Sequence, residues 1–130
     1  MGAFDMLRIA NTSLGMHQTW LDALANNIAN ANTVVATSDT AFQAQMVVAE
    51  ARADGGVDVA GIDLSSGEGV LEYAPDHPLA DAQGMVRAAD LDMSSQMSQL
   101  IMAQRGFQAS VQVTKTAQDT YGTALQIGRA

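Results

Sequence analysis

Seven-residue spacing dominates both ends of this chain. Near the N-terminus Leu7, Leu14, Leu21 and Ile28 recur every seven residues, with Ala10, His17, Leu24 and Ala31 three positions further on. Near the C-terminus Met93, Leu100, Phe107, Thr114 and Tyr121 form one row, and Met97, Gln104, Val111, Gln118 and Leu125 a second. Steps that alternate between three and four keep one stripe of an α-helix turned to a partner, which is the condition for a coiled-coil seam. The pattern predicts two long helices paired with one another, each about 45–50 Å long at the usual helical rise. Such helices are longer than a compact domain of 130 residues is wide, so the molecule is expected to be elongated.

The ends of both helices are marked. The first pattern stops in Asn26-Asn27-Ile28-Ala29-Asn30-Ala31-Asn32-Thr33, where side-chain amides compete with the helical backbone. The second begins after Asp90 and Asp92, either of which serves as an N-cap and complements the helix dipole. It ends at Gly128, with Arg129 expected beside the negative pole.

Charge is spread unevenly. The chain carries a formal charge of -8. Residues 1–32 hold only Asp5, Arg8 and Asp22, and residues 93–130 only Arg105, Lys115, Asp119 and Arg129. Residues 33–92 hold eleven acids against Arg52 and Arg87. An isolated helix pair normally covers its wet faces with Glu and Lys. Here the far faces show Ala, Gln, Ser, Thr and large apolar residues such as Ile9, Met16, Trp20, Ile101, Met102 and Val113. Depletion of charge is the compositional mark of an interface core, so these faces are expected to meet other chains. The residues expected at helix interfaces are Leu7, Leu14, Leu21, Leu24, Ile28, Met93, Met97, Leu100, Phe107, Val111, Tyr121 and Leu125.

The middle reads as β-structure. Phe42, Ala44, Met46 and Val48 alternate with neighbours of the opposite face; Asp54-Gly55-Gly56 is a turn; the alternation changes phase at Ala60-Gly61, which predicts a bulge. Further strands are expected at 69–73 and 85–87, separated by Pro75, Pro78 and a loop. The fold class is therefore α+β and mainly α: long terminal helices paired as a coiled coil, with a small antiparallel β element between them. Two units follow, residues 1–32 plus 93–130 as the helix pair and residues 33–92 as the β-rich middle.

Composition excludes several functions. The negative charge repels phosphate backbones, so no nucleic-acid partner is expected. Apolar runs are too short to cross a bilayer, and the start carries Asp5 where a secretory signal carries Lys or Arg. Cysteine is absent, and His17 and His77 lack ligand-spaced neighbours. Asp54, Asp58 and Asp63 miss the calcium-loop spacing, and no phosphate-binding loop or nucleophile elbow is present. No catalytic residue, metal, cofactor or small-molecule substrate is expected.

Two motifs carry a family resemblance. Leu24-Ala25-Asn26-Asn27-Ile28-Ala29-Asn30-Ala31-Asn32-Thr33 resembles the N-terminal signature of bacterial flagellar rod and hook axial proteins. Leu71-Glu72-Tyr73-Ala74-Pro75-Asp76-His77-Pro78-Leu79-Ala80-Asp81-Ala82-Gln83-Gly84-Met85-Val86 resembles a stretch typical of basal-body rod members of that family. The motif positions are Asn26, Asn27, Ile28, Asn30, Asn32, Tyr73, Pro75, Pro78, Ala80, Asp81 and Gly84. The resemblance implies a structural subunit of the basal-body rod. Its terminal helices would assemble with other rod proteins and with copies of itself into a helical periplasmic tube. That tube transmits torque and conducts exported subunits. The resemblance also implies passage through the flagellar type III export apparatus without a cleaved signal peptide. Two readings compete with it: a small cytoplasmic helical-hairpin adaptor or secretion chaperone, and a hydrolase built on Asp76, His77 and Asp81.

Overall fold

The computed structural model describes residues 2–128. Helix α1 (Ala3–Ala29) starts from extended Gly2, whose N–H donates to the Asp5 carboxylate at 3.0 Å. That carboxylate also complements the positive end of the helix dipole. The Asn-rich run ends the helix. The Asn30 N–H reaches the carbonyls of Asn26 and Asn27 at 3.2 Å, and its side-chain amide donates to the Asn26 carbonyl at 2.9 Å. Helix α2 (Met93–Ile127) is capped by Asp92, whose carboxylate accepts the Ser94 N–H at 3.0 Å. Arg129, expected beside the far end of this helix, lies outside the described residues. With 27 and 35 residues the helices run about 40 and 52 Å.

Five short strands lie between the helices: β1 (Val34–Val35), β2 (Gln45–Ala51), β3 (Val57–Leu64), β4 (Val70–Tyr73) and β5 (Met85–Ala88). They form two antiparallel sheets, one in the order β1-β5-β4 and one the β2-β3 hairpin. The hairpin register shifts where Val48 faces Gly61 and Ala49 faces Val59, leaving Ala60 as the extra residue. This is the change of phase visible in the sequence. The first long strand begins three residues later than the alternation from Phe42 predicts. Ala41 donates instead to the Gly67 carbonyl at 3.0 Å, and Ala44 exchanges bonds with Ser65, so residues 41–44 are held by loop contacts before the ladder starts.

The helices pack antiparallel. Ser13 meets Ser110, His17 sits against Gly106 and Asn27 meets Gln96. The row of α2 that faces α1 differs from the expected second row. Gln96, Ala103, Ser110 and Ala117 point inward, whereas Met97 and Val111, one residue on from Gln96 and Ser110, stand exposed, as does Leu125. Leu100, Phe107 and Thr114 of the other expected row are half-buried. The physical reason is size: Ala103 is fully buried because a methyl group lets two helix backbones approach, and a thioether there would hold them apart.

The hairpin lies along α1. Gln45, at its open end, is bonded to Asn27, and its turn is bonded to Thr12 and Arg8 near the start of the helix. Much of the buried apolar core is alanine (Ala10, Ala23, Ala41, Ala44, Ala103, Ala117), with Leu24 and Val86 as the largest apolar members.

Candidate assembly surface and motif sites

The Asn run at the end of α1 performs two separate tasks. Asn26 and Asn30 terminate α1, with Thr33 completing the turn through its N–H to the Asn30 carbonyl at 3.0 Å. Asn27 faces inward and is 1% exposed. Its amide donates to the Gln45 carbonyl at 2.9 Å and to the Gln96 side chain at 3.0 Å, and its oxygen accepts the Gln45 N–H at 2.8 Å. One buried side chain thus joins α1, β2 and α2. A polar group in such a position is stable only because each of these bonds is made. Ile28 is half-buried behind it, and Asn32 is exposed.

The second motif builds the connection from β4 to β5. Asp81 is its centre: one carboxylate oxygen accepts the N–H groups of Gln83 and Met85, both at 2.9 Å, and the other accepts the Thr37 hydroxyl at 3.1 Å. The Met85 N–H is the main reason its carboxyl sits below the usual carboxylate range; partial burial opposes this, and the Gln83 N–H and Thr37 hydroxyl add to it. Gly84 has φ +74°, and a Cβ there would meet Pro75 and the Tyr73 ring at 3.0 Å. Tyr73, Pro75, Asp81 and Gly84 are therefore parts of one turn. Ala80 closes the inner bend with its N–H on the His77 carbonyl at 3.0 Å, and Pro78 is exposed within that bend. His77 itself accepts the Leu79 N–H at 3.2 Å. A hollow of about 350 Å³ beside it is lined by Asn32, Glu72, His77 and Val86, and neither Asp76 nor Asp81 reaches it.

The helix-interface residues divide by depth. Leu24 is buried; Leu7, Leu14, Leu21, Ile28, Leu100 and Phe107 are half-buried; Met93, Met97, Val111, Tyr121 and Leu125 are exposed. At about 100° per residue, the α1 leucine row and Leu100-Phe107 fall on the same flank of the antiparallel pair. Met93, Met97 and Val111 extend that flank outward. The other flank holds two shallow grooves of about 430 and 360 Å³, shared between Met6, Ile9 and Ala10 of α1 and Ala109, Val113 and Ala117 of α2. At the end of the pair Phe4 and Tyr121 stack edge to face, 5.1 Å between ring centres, with Phe4 still mostly exposed.

Periodicity alone missed the small-residue row Ala103, Ser110 and Ala117 with Gly106 beside it, although its seven-residue spacing is present in the sequence. It also missed Arg8, which reaches Asp54 at 2.8 Å and the Gly55 carbonyl at 3.2 Å and so fastens the hairpin turn to α1. Asp54 is held below its ordinary range chiefly by its hydrogen bond from Arg52, whose guanidinium is correspondingly favoured in its charged form by Asp54 and Asp58.

Residues 82–127, covering β5 and all of α2, match the family model for the C-terminal region of the flagellar basal body rod FlgEFG proteins. Over 99% of its length the chain is 31% identical to the whole flagellar basal-body rod protein FlgC of Salmonella typhimurium. The FlgC of Escherichia coli O6:H1 is 32% identical over 99% of this chain and 100% of its own. The chain belongs to the FlgC family of flagellar basal-body rod proteins. The family reaches further, to FlgC of Borreliella burgdorferi at 25% identity over 98% of both chains. FlgC proteins are structural and not enzymatic, which sets aside the hydrolase and adaptor readings. Among the described residues no helix is long and apolar enough to cross a membrane.

Proposed function

We propose that this FlgC-family chain is built into the rod through the exposed flanks of its terminal helices, with the β-rich middle as a separate unit on the outside of that pairing. The reading rests on one observation: α2 leaves Ile101, Met102, Val111 and Val113 about half exposed, with Arg105 the one charged side chain between positions 101 and 113. Large apolar residues in that density on a helix already paired on its opposite face mark a protein–protein surface. In this reading Leu7, Leu14, Leu21, Leu24, Ile28, Leu100 and Phe107 hold the pair together. Met93, Met97, Val111, Tyr121 and Leu125 meet neighbours, which are copies of this chain and other rod proteins.

The assembled tube carries torque as a drive shaft through the periplasm and passes exported subunits along its axis. The chain reaches it through the flagellar type III export apparatus without a cleaved signal peptide. The Asn27 bonds tie the β2-β3 hairpin to both helices, as a torque-bearing part requires.

Ile101→Asp and Val113→Asp test this. Both positions are exposed in the single chain, so the folded monomer is expected to keep its helix content and its thermal midpoint. Incorporation into isolated basal bodies is expected to fall to background, with loss of swimming. Normal incorporation of both variants would refute the assembly surface.

A further inference from the structure

The helix seam poses a problem of alignment that its apolar residues do not solve. On α2 the inward row Ala103, Ser110 and Ala117 repeats every seven residues, and each member is small. On α1 Leu7, Leu14, Leu21 and Ile28 repeat at the same interval. Sliding one helix along the other by seven residues, about 10 Å, therefore returns the α1 leucine row to the Leu100-Phe107-Thr114 row of α2 and its neighbours to the small-residue row again. The link between β5 and α2, residues 89–92, reaches about 13 Å when extended and does not by itself forbid the slide.

We propose that Asn27 with Gln96, and His17 with Gly106, form a register lock that admits one antiparallel alignment of the helices and excludes those displaced by seven residues. Three contacts share the observed register. From Ser13 to His17 to Asn27 the chain advances four and then ten residues, and from Ser110 to Gly106 to Gln96 it retreats by the same steps. At His17 the ring nitrogen Nδ1 donates to the Ser13 carbonyl at 2.8 Å, which aims the opposite edge, Nε2, at Gly106. A Cβ on residue 106 would collide with that ring, so the imidazole occupies a notch that only glycine leaves. Asn27 is buried and spends one amide hydrogen on Gln96.

A slide toward the C-terminus of α2 sets Asn27 against Ala103, His17 against Val113 and Ser13 against Ala117. The buried amide then loses its acceptor, and a branched side chain fills the notch. A slide the other way sets His17 against Gln99 and carries Asn27 past the Asp92 cap, where α2 ends. Both alternatives leave a buried polar group unpaired or overpack the seam, and each of these is costly. The apolar rows supply adhesion without direction; the polar and glycine positions supply direction, as buried polar groups do in coiled coils of known register. The lock concerns pairing within one chain and does not depend on how copies assemble. Its consequence is that every copy presents the same pattern on its flanks.

The absence of cysteine makes the test direct. Two full-length variants are compared under mild oxidation, reading the intramolecular cross-link in the monomer band: Ser13→Cys with Ser110→Cys, which reports the observed register, and Ser13→Cys with Ala117→Cys, which reports the slide. The first pair is expected to close at least about tenfold faster than the second. Adding Asn27→Leu and Gln96→Leu to both is expected to cut that preference by about tenfold. An unchanged preference, with helix content retained by circular dichroism, overturns the proposal. If the leucine background loses its helices, His17→Ala gives the same reading alone. A smaller but definite fall in preference supports the lock, and no fall overturns it.

Discussion

The helix pair and the β-rich middle solve opposite problems with opposite means. Residues 33–92 hold eleven of the fourteen acids, and their folding is written in hydrogen bonds from side chain to backbone. Asp81 collects two N–H groups and a hydroxyl, and Arg87 donates to the Thr37 carbonyl at 2.7 and 3.2 Å and to Glu68. The helices hold few charges, and most of their side-chain bonds to backbone are hydroxyls folded back onto a carbonyl of the same helix one turn earlier. The helices meet along a row of small α2 side chains, with Leu24 buried and the other leucines half-buried, and leave Met97, Ile101, Met102 and Val113 exposed. The middle thus satisfies its polar groups within the chain and exposes apolar residues such as Ile62, Leu64 and Leu71 among its acids, while the helices keep apolar surface that is poor in charge and that the chain does not cover. Under the proposed assembly, the middle supplies a bonded unit and the helices supply the faces that meet neighbours.

The sharpest way to break this contrast is at Asn27, a buried side chain that serves both regions. Asn27→Ala should destabilise the chain by about 2–4 kcal/mol in urea titration, since three bonds go and the Gln45 backbone and Gln96 are left unpaired. A loss below the usual scatter of surface substitutions would mean that the regions are joined elsewhere. Next comes Gly106→Ala, which drives a methyl group into the His17 ring and should cost about 1–3 kcal/mol. Combining it with His17→Ala should recover most of that loss, because the two act at one contact. Additive losses would show that the notch does not exist.

The contrast also has a pH signature. Asp81 titrates below the usual carboxylate range in the folded chain. Its stabilising effect is therefore complete above the ordinary carboxylate pKa and is lost as pH falls through its lowered folded value. Asp81→Asn should flatten the acid limb of a stability–pH curve, with the effect confined to probes in the middle region. An equal change in the helix signal would erase the distinction between the regions. The smallest effect is expected at Arg8→Ala. Its ion pair with Asp54 is well exposed on both sides, so the change in midpoint should be slight and should vanish in high salt. A large, salt-independent loss would show that the hairpin turn is held by the guanidinium's bonds to backbone instead.

Much of the fold was legible because its signals are local. The Asn30 helix stop, the Asp92 cap, the Asp54-Gly55-Gly56 turn and the bulge at Ala60-Gly61 each depend on residues within a few positions. The motif turn was recognisable as a pattern, but its logic was not. Thr37 lies 44 residues from the Asp81 it supports. Asn27 looked like one Asn among four; its partners are 18 and 69 residues away.

The sequence by itself determined that two long, charge-poor helices flank an acidic β-rich segment, because periodicity, caps and charge are properties of neighbouring residues. Only the tertiary structure decided which row of α2 turns inward. Met97 and Val111 share the seven-residue period of Gln96, Ala103 and Ser110, so periodicity is blind to the choice. It is settled by how closely two backbones approach, and that distance is set by the smallest side chains at the contact, Gly106 and Ala103, and not by the most apolar ones.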